Sequence, residues 1–203
     1  MRRFVVLDAM GVLYRHGNVV ASLLIPYLRA HGSTATEPDI RDAYRRCTLG
    51  EISSHHLWTS LGVGATATDA DYCTHHELTP GAREALDQLR SAGITPLILT
   101  NDAAPWSELL RTRFNLSAEH WYVSSQLGTR KPSPEAFAAV RSHPGLDPAQ
   151  TYLVDDRPTN LAAAQAAGFR PVLFHSDDSA TNQVDGFTPP TAYTMPELLT
   201  HLL

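Results

Sequence analysis

The stretch FVVLDAMGVLY, residues 4–14, reads as a buried strand that runs into an acidic residue and a glycine turn. Its first four residues are apolar without alternation. That is the pattern of a strand covered on both faces, as in a parallel sheet. Asp8 stands at the carboxyl end of this strand, and Met10 follows two residues later. In an open parallel α/β sheet, ligands bind outside the carboxyl ends of the strands, so Asp8 is the first candidate for a functional residue.

The same short apolar run, ended by polar residues, recurs as TPLILTN (95–101), HWYVSS (120–125), TYLVDD (151–156) and RPVLFH (170–175). Helical patterns separate most of these runs. PGAREALDQLRSAG (80–93) has proline near its start, apolar residues spaced by three and four, and glycine at its end. PSPEAFAAVRSH (132–143) and RPTNLAAAQAAG (157–168) read the same way. Strands alternating with helices predict an α/β fold with a doubly wound parallel sheet.

The rhythm breaks once. Between the strand at Asp8 and the one near Thr95 lies a long helical, histidine-rich segment, too long for a crossover. The expected organisation is a core of residues 1–14 and 80–203, with residues 15–79 inserted as a helical subdomain. SDDSATNQVDGFTPPTAY (176–193) reads as an irregular surface loop, and MPELLTHLL (195–203) as a closing helix.

The bulk properties exclude several classes. A chain of 203 residues that is 43% hydrophobic can bury a full core. A net charge of −5 argues against a nucleic-acid or anionic-membrane surface, because such partners need basic patches. The N-terminal apolar run stops at Asp8, too short for a signal core or a membrane span, so the expected location is cytoplasmic. Cys47 and Cys73 show no metal-ligand spacing and read as reduced packing residues. Lys131 is the only lysine.

The polar residues at the strand ends are Asp8, Thr100, Asn101, Asp155 and Asp156, with Lys131 at a helix start in GTRKPSPEAF. Each alone reads as a cap or a turn residue; together, in this order, they suit phosphoryl chemistry on a bound cation. Carboxylates match the hard-oxygen preference of Mg²⁺. An ammonium and a hydroxyl match phosphate oxygens. An aspartate beside the metal can attack phosphorus.

These residues carry a family resemblance. VVLDAMGVL, LILTN, GTRKPSPEAF and YLVDDRPTNLAAAQAAG stand in the order of the four motifs of the haloacid dehalogenase superfamily of hydrolases, which the chain resembles over nearly its whole length. The fourth motif and GEISSHHLW (50–58) most resemble the branch holding sugar-phosphate phosphatases and the phosphatase domain of epoxide hydrolases. The resemblance implies an aspartyl-phosphate mechanism with Asp8 as nucleophile. It implies a Mg²⁺ site of Asp8, the Met10 main-chain carbonyl and Asp156, with Asp155 beside it or behind it. It also implies that Thr100, Asn101 and Lys131 hold the phosphoryl oxygens of a small phosphorylated metabolite, and that residues 15–79 form a mobile cap.

Met10 departs from the pattern. Phosphatases of this superfamily carry a second aspartate there, which protonates the leaving group and then activates water. A thioether carries no proton, and general acid–base help is typically worth about 10²–10⁴-fold. Phosphonoacetaldehyde hydrolases lack this aspartate but need a cap lysine, and Lys131 is already claimed by the third motif. Haloacid dehalogenases need no leaving-group proton, but they work without metal and do not keep the pair Asp155 and Asp156. Two explanations stay open: a substrate with a good leaving group, or an acid supplied by His55, His56, His75 or His76. Arg45 and Arg46 read as a solvated helix face. The other readings are a dehalogenase-like hydrolase and a catalytically silent phosphometabolite-binding protein.

Overall fold

The computed structural model describes residues 2–175 and 184–203. In chain order, β1 (Arg3–Leu7) is followed by a π-helical turn (Val20–Leu24) running into α1 (Ile25–Ala30), then α2 (Glu37–Thr48), α3 (Ser54–Ser60) and α4 (Asp69–Thr74). Next come α5 (Ala82–Ser91), β2 (Ile94–Thr100), α6 (Ala104–Arg113), β3 (His120–Val123), α7 (Ser124–Leu127) and α8 (Pro134–Arg141). β4 (Tyr152–Asp155), α9 (Pro158–Ala166), β5 (Arg170–Phe174), β6 (Thr191–Ala192) and α10 (Met195–Leu202) complete the chain.

The strands form one six-stranded sheet in the order β3-β2-β1-β4-β5-β6, with every pair parallel. The expected doubly wound sheet is present, and the sequence of β1 explains it. Phe4 and Val6 join an apolar cluster with Leu97, Leu99 and Leu153, while Val5 and Leu7 join another with Ile98, Val154 and Val172. Successive side chains of a strand point to opposite faces, so a strand covered on both sides is apolar throughout.

One expectation needs correction. Within the segment read as an irregular loop, Thr191–Ala192 forms β6 and pairs with Leu173 and Phe174 of β5. Residues 176–183 of that segment lie outside the described residues.

Between β1 and α5 the chain is helical, and three of its helices start at hydroxyl caps. The side chains of Thr36, Ser53 and Thr68 accept from the N–H groups of Asp39, His56 and Asp71. These helices share the core of the sheet layer. Trp58, Tyr72 and Trp106 of α6 pack in succession, edge-on and tilted, with ring centroids 5.4 and 5.0 Å apart. Asp69 ties them together: its carboxylate accepts from Trp58 Nε1 at 2.8 Å, Trp106 Nε1 at 2.7 Å and Ser54 Oγ at 2.6 Å. Arg113 of α6 donates to the carbonyls of Cys73 and His76 at 2.7 and 2.9 Å. Cys47 and Cys73 are buried free thiols. Among the described residues, no helix is long and apolar enough to cross a membrane.

The Asp69 carboxylate is therefore the polar joint between α3, α4 and α6. Asp69→Ala strands two indole N–H groups, which costs about 2–4 kcal/mol. Urea unfolding of wild type and variant measures it. A loss below about 1 kcal/mol would mean that water satisfies both indoles.

Candidate active site

β1 lies at the centre of the sheet with β2 on one side and β4 on the other, so its carboxyl end opens into the crevice where the strand order reverses. Asp8 stays in register beyond the strand, its N–H donating to the Val154 carbonyl at 2.9 Å. The chain then turns: Tyr14 N–H donates to the Ala9 carbonyl at 2.8 Å, and Gly11 N–H to the Tyr14 carbonyl at 2.7 Å. The Met10 carbonyl accepts none of the bonds that close this turn, and its side chain packs into the apolar cluster at 7% exposure. Gly11 is required twice over. Its φ is +79°, and a Cβ there would lie 2.6 Å from Cγ of Asp156. The Asp156 carboxylate fits only against a bare backbone.

Lys131, 3% exposed, bridges the two strand ends. Its Nζ lies 2.8 Å from Asp8 Oδ2 and 2.6 Å from Asp155 Oδ2. The Lys131–Pro132 peptide is cis. Asn101 grips the lysine main chain from both ends, Oδ1 accepting from Lys131 N–H at 2.8 Å and Nδ2 donating to its carbonyl at 2.9 Å. The sequence reading gave the Asn101 side chain to a ligand; the structure commits it to Lys131. Thr100 does remain available, since its hydroxyl is fully buried and has no partner.

The two fourth-motif aspartates differ sharply. Asp155 Oδ2 takes Lys131, and Oδ1 accepts from Arg157 N–H and Asn160 Nδ2, both at 2.9 Å. Both oxygens of Asp156 are buried without a hydrogen-bond partner among the described residues. Its nearest cation is Arg157 Nε at 4.0 Å, the outer limit of an ion pair. Asp8, Asp155 and Asp156 each offer an oxygen, and these lie within 4.8 Å of one another.

Three carboxylates thus face one ammonium. Burial raises the Asp8 pKa, against the opposing Lys131 charge, and Asp155 adds to the rise. Burial, Asp155 and Asp8 raise that of Asp156. Burial disfavours the Lys131 ammonium, but Asp155 and Asp8 outweigh it and the net shift is upward. The lysine stays charged, and the excess negative charge falls on Asp8 and Asp156. A divalent cation would remove it.

The histidines behave otherwise than the cap-acid explanation requires. His55, His56 and His75 are exposed. His76 is buried beside Tyr72 and Tyr14, ring centroids 5.0 and 6.4 Å away, with both ring nitrogens unpartnered. Burial pushes its pKa down to about 4, so it is a neutral imidazole. Among the described residues, none of the four bonds to Asp8, Lys131 or Asp155, and Asp156 has no hydrogen-bond partner at all. Arg45 is exposed and pairs with Asp42, and exposed Arg46 pairs with Glu51, as expected of a solvated face.

Sequence reasoning missed Asp102, Asn160, Arg130 and Arg157, although each is a near neighbour of a motif residue. Asp102 is 1% exposed; Oδ1 accepts from Ala103 N–H at 2.8 Å, and Oδ2 has no partner. Burial lifts its pKa to about 7, against the Ala103 bond, with Asp8 pushing the same way as burial.

That shift makes stability pH-dependent. The folded pKa lies above the unfolded one, so between the two the native state holds a proton that the unfolded chain has lost. Stability therefore falls as pH rises from about 4 to 7. Asp102→Asn removes this contribution. Denaturant unfolding of wild type and variant at pH 5 and pH 8, with chelator present, should show the variant gaining about 2–3 kcal/mol on wild type across that interval. An unchanged difference would mean that Asp102 is ionised throughout.

Comparison with known proteins sets this geometry in context. A family model described as haloacid dehalogenase-like hydrolase matches residues 3–168. Phosphoglycolate phosphatase of Pseudomonas putida is 31% identical over 130 residues, which is 61% of this chain and 48% of that protein. The chain spans about half the length of the curated relatives it matches. Among solved structures, a HAD family enzyme of Bacteroides thetaiotaomicron in complex with magnesium and inorganic phosphate superposes with a TM-score of 0.74 at 19% identity. It covers 89% of this chain and 98% of that one. The L-2-haloacid dehalogenase of Xanthobacter autotrophicus, with chloropropionic acid covalently bound, superposes with a TM-score of 0.68 at 18% identity, covering 98% and 97%. Both likenesses are likenesses of fold.

Proposed function

The chain belongs to the haloacid dehalogenase-like hydrolases, and from that premise we propose that it is a Mg²⁺-dependent hydrolase of a small phosphorylated metabolite, working through an aspartyl-phosphate at Asp8. The observation that carries this reading is the contrast between neighbouring aspartates. Asp155 is fully engaged in holding Lys131, whereas Asp156 keeps two buried oxygens without a partner. A buried carboxylate without a hydrogen bond, its one ion pair at the 4.0 Å limit, is costly, and a cation would account for this one.

Asp8, Asp156 and the Met10 carbonyl would hold Mg²⁺, a hard-oxygen set that suits it, while Asp155 stays behind them to orient Lys131. Bound there, the ion would supply positive charge against the phosphoryl oxygens. Asp8 attacks phosphorus, the bond to the leaving oxygen breaks, and the phosphoryl group rests on the Asp8 carboxylate. The Lys131 ammonium and the Thr100 hydroxyl stabilise the charge that develops on its oxygens. Water then releases inorganic phosphate and restores Asp8. The helices of residues 15–79 cover the crevice as a cap and exclude water from the first step.

Met10 removes the proton carrier from this scheme without removing the carbonyl. The leaving group must depart unprotonated, which favours acyl, aryl or anhydride phosphates over alkyl phosphates. Met10 and the dehalogenase-like fold also suit a reaction whose leaving group needs no proton, but the unpartnered Asp156 has no task in that reading.

Phosphate release from substrates graded by leaving-group pKa tests the proposal, with wild type beside Met10→Asp. Wild type should turn over acyl and aryl phosphates in preference. Met10→Asp should gain about tenfold to a thousandfold on alkyl phosphates, in a Mg²⁺-dependent way that Asp156→Asn abolishes. No gain on any alkyl phosphate by a folded variant would move the dehalogenase-like and silent binding readings ahead.

A further inference from the structure

Two arginines flank the crevice, one half-buried and the other with 43% of its side chain exposed. Arg130 directly precedes Lys131, and Arg157 directly follows Asp156. Arg130 is half-buried, and its one side-chain hydrogen bond among the described residues goes to a neutral group, Thr48 Oγ1 at the end of α2, at 3.1 Å. No carboxylate among the described residues lies within ion-pair distance of it. Burial lowers its pKa, and Arg157 and Arg45 press in the same direction; Tyr44 is its favourable neighbour. Arg157 reaches up to the Gly17 carbonyl at 3.0 Å and touches Asp156 only at 4.0 Å.

Tyr44 lies on the same helix as Thr48, the residue that Arg130 bonds. It sits on α2, stacked on Trp106, and its hydroxyl lies 3.5 Å from the Asn101 carbonyl, one residue past Thr100. Burial raises its pKa and Asp102 adds to the rise, while the charges of Arg130 and Arg157 oppose it. Both arginine side chains therefore leave the carboxylate floor and end against the first part of the insertion, at Thr48 and Gly17. The end of a substrate farthest from Asp8 would lie there.

We propose that Arg130 and Arg157 form a subsite for a second anionic group, so that the substrate is a phosphorylated metabolite whose non-transferred end is itself an anion. The proposal rests on the reading of Asp8 as the phosphoryl acceptor, which fixes the transferred end. Two guanidinium forks with free N–H groups match the planar face of a carboxylate or the oxygens of a second phosphoryl group. Neutralising such a group relieves the repulsion between the arginines, which a ligand with a neutral tail leaves in place. Exposed Arg45 does not belong to the subsite, because Asp42 and Glu51 already balance it.

Binding of phosphonates, whose carbon–phosphorus bond this chemistry leaves intact, tests the proposal independently of turnover. Calorimetry in the presence of Mg²⁺ would compare ethylphosphonate with 3-phosphonopropionate and ethylenediphosphonate. Wild type should bind at least one doubly anionic ligand about 10–100-fold more tightly than ethylphosphonate, the range expected of one or two charge-assisted bonds. Whichever is preferred names the second group. Arg130→Gln and Arg157→Gln should each cut that preference about tenfold, and Arg130→Lys, which keeps the charge without the fork, should cut it less. Equal affinities in wild type, or a preference intact in both glutamine variants, would overturn the subsite. If the preference is present but no phosphate ester, acyl phosphate or phosphoanhydride is hydrolysed, the subsite stands and the hydrolase reading falls.

Discussion

Lys131 holds one ammonium group between Asp8 and Asp155, at 2.8 and 2.6 Å, in a place almost closed to water. Removing one member of such a buried set is far more disruptive than its net contribution suggests, because the charges left behind have nowhere to go. The fold is arranged around this contact. β1 and β4 must be neighbours for the two carboxylates to meet, and Asn101 at the end of β2 must grip the lysine main chain to aim it. Asn160, in the first turns of α9, occupies the remaining side of Asp155. With Lys131 satisfied by two carboxylates, the third, Asp156, is left without a hydrogen bond among the described residues, against the bare backbone of Gly11 and 4.0 Å from Arg157. The electrostatic deficit of the site and the place for a cation are thus one feature.

Met10 divides two tasks that one residue often performs together. A main-chain carbonyl is indifferent to its side chain, so the proposed cation site would survive the thioether; proton transfer would not. The thioether in turn packs into the same apolar cluster that runs from the sheet into the insertion. The histidines nearby do not reach Asp8 in this structure: three face solvent, and His76 sits neutral among aromatic rings. On the proposed reading, the chemistry open to the site is set by the leaving group, and Lys131 and the proposed arginine subsite supply the positive charge around it.

The strands were legible because burial on both faces leaves uninterrupted apolar runs, and β1 shows why: Phe4 and Val6 serve one layer, Val5 and Leu7 the other. β6 was not legible, because two residues in a proline-bearing segment carry no periodicity. The sequence placed Asp8, Thr100 and the two fourth-motif aspartates at strand ends and Lys131 at a helix start, yet it could not say which way a side chain points. That gap misdirected Asn101, whose amide serves the lysine, and left Asp155 and Asp156 looking alike. Asp102, Arg130 and Arg157 escaped for a related reason. Their character comes from burial and from residues distant in the chain, such as Tyr44 and Thr48, and spacing along the sequence carries no trace of that.

The measurement that bears most directly on the account is the mass of the peptide containing Asp8 after the protein is mixed with Mg²⁺ and an acyl phosphate and quenched in acid. The account predicts that this peptide gains one phosphoryl group, that the adduct accumulates because Met10 cannot activate water, and that Asp8→Asn abolishes it. Phosphate release without any adduct at Asp8, or an ester adduct formed there from a 2-haloacid in the absence of metal, would contradict it.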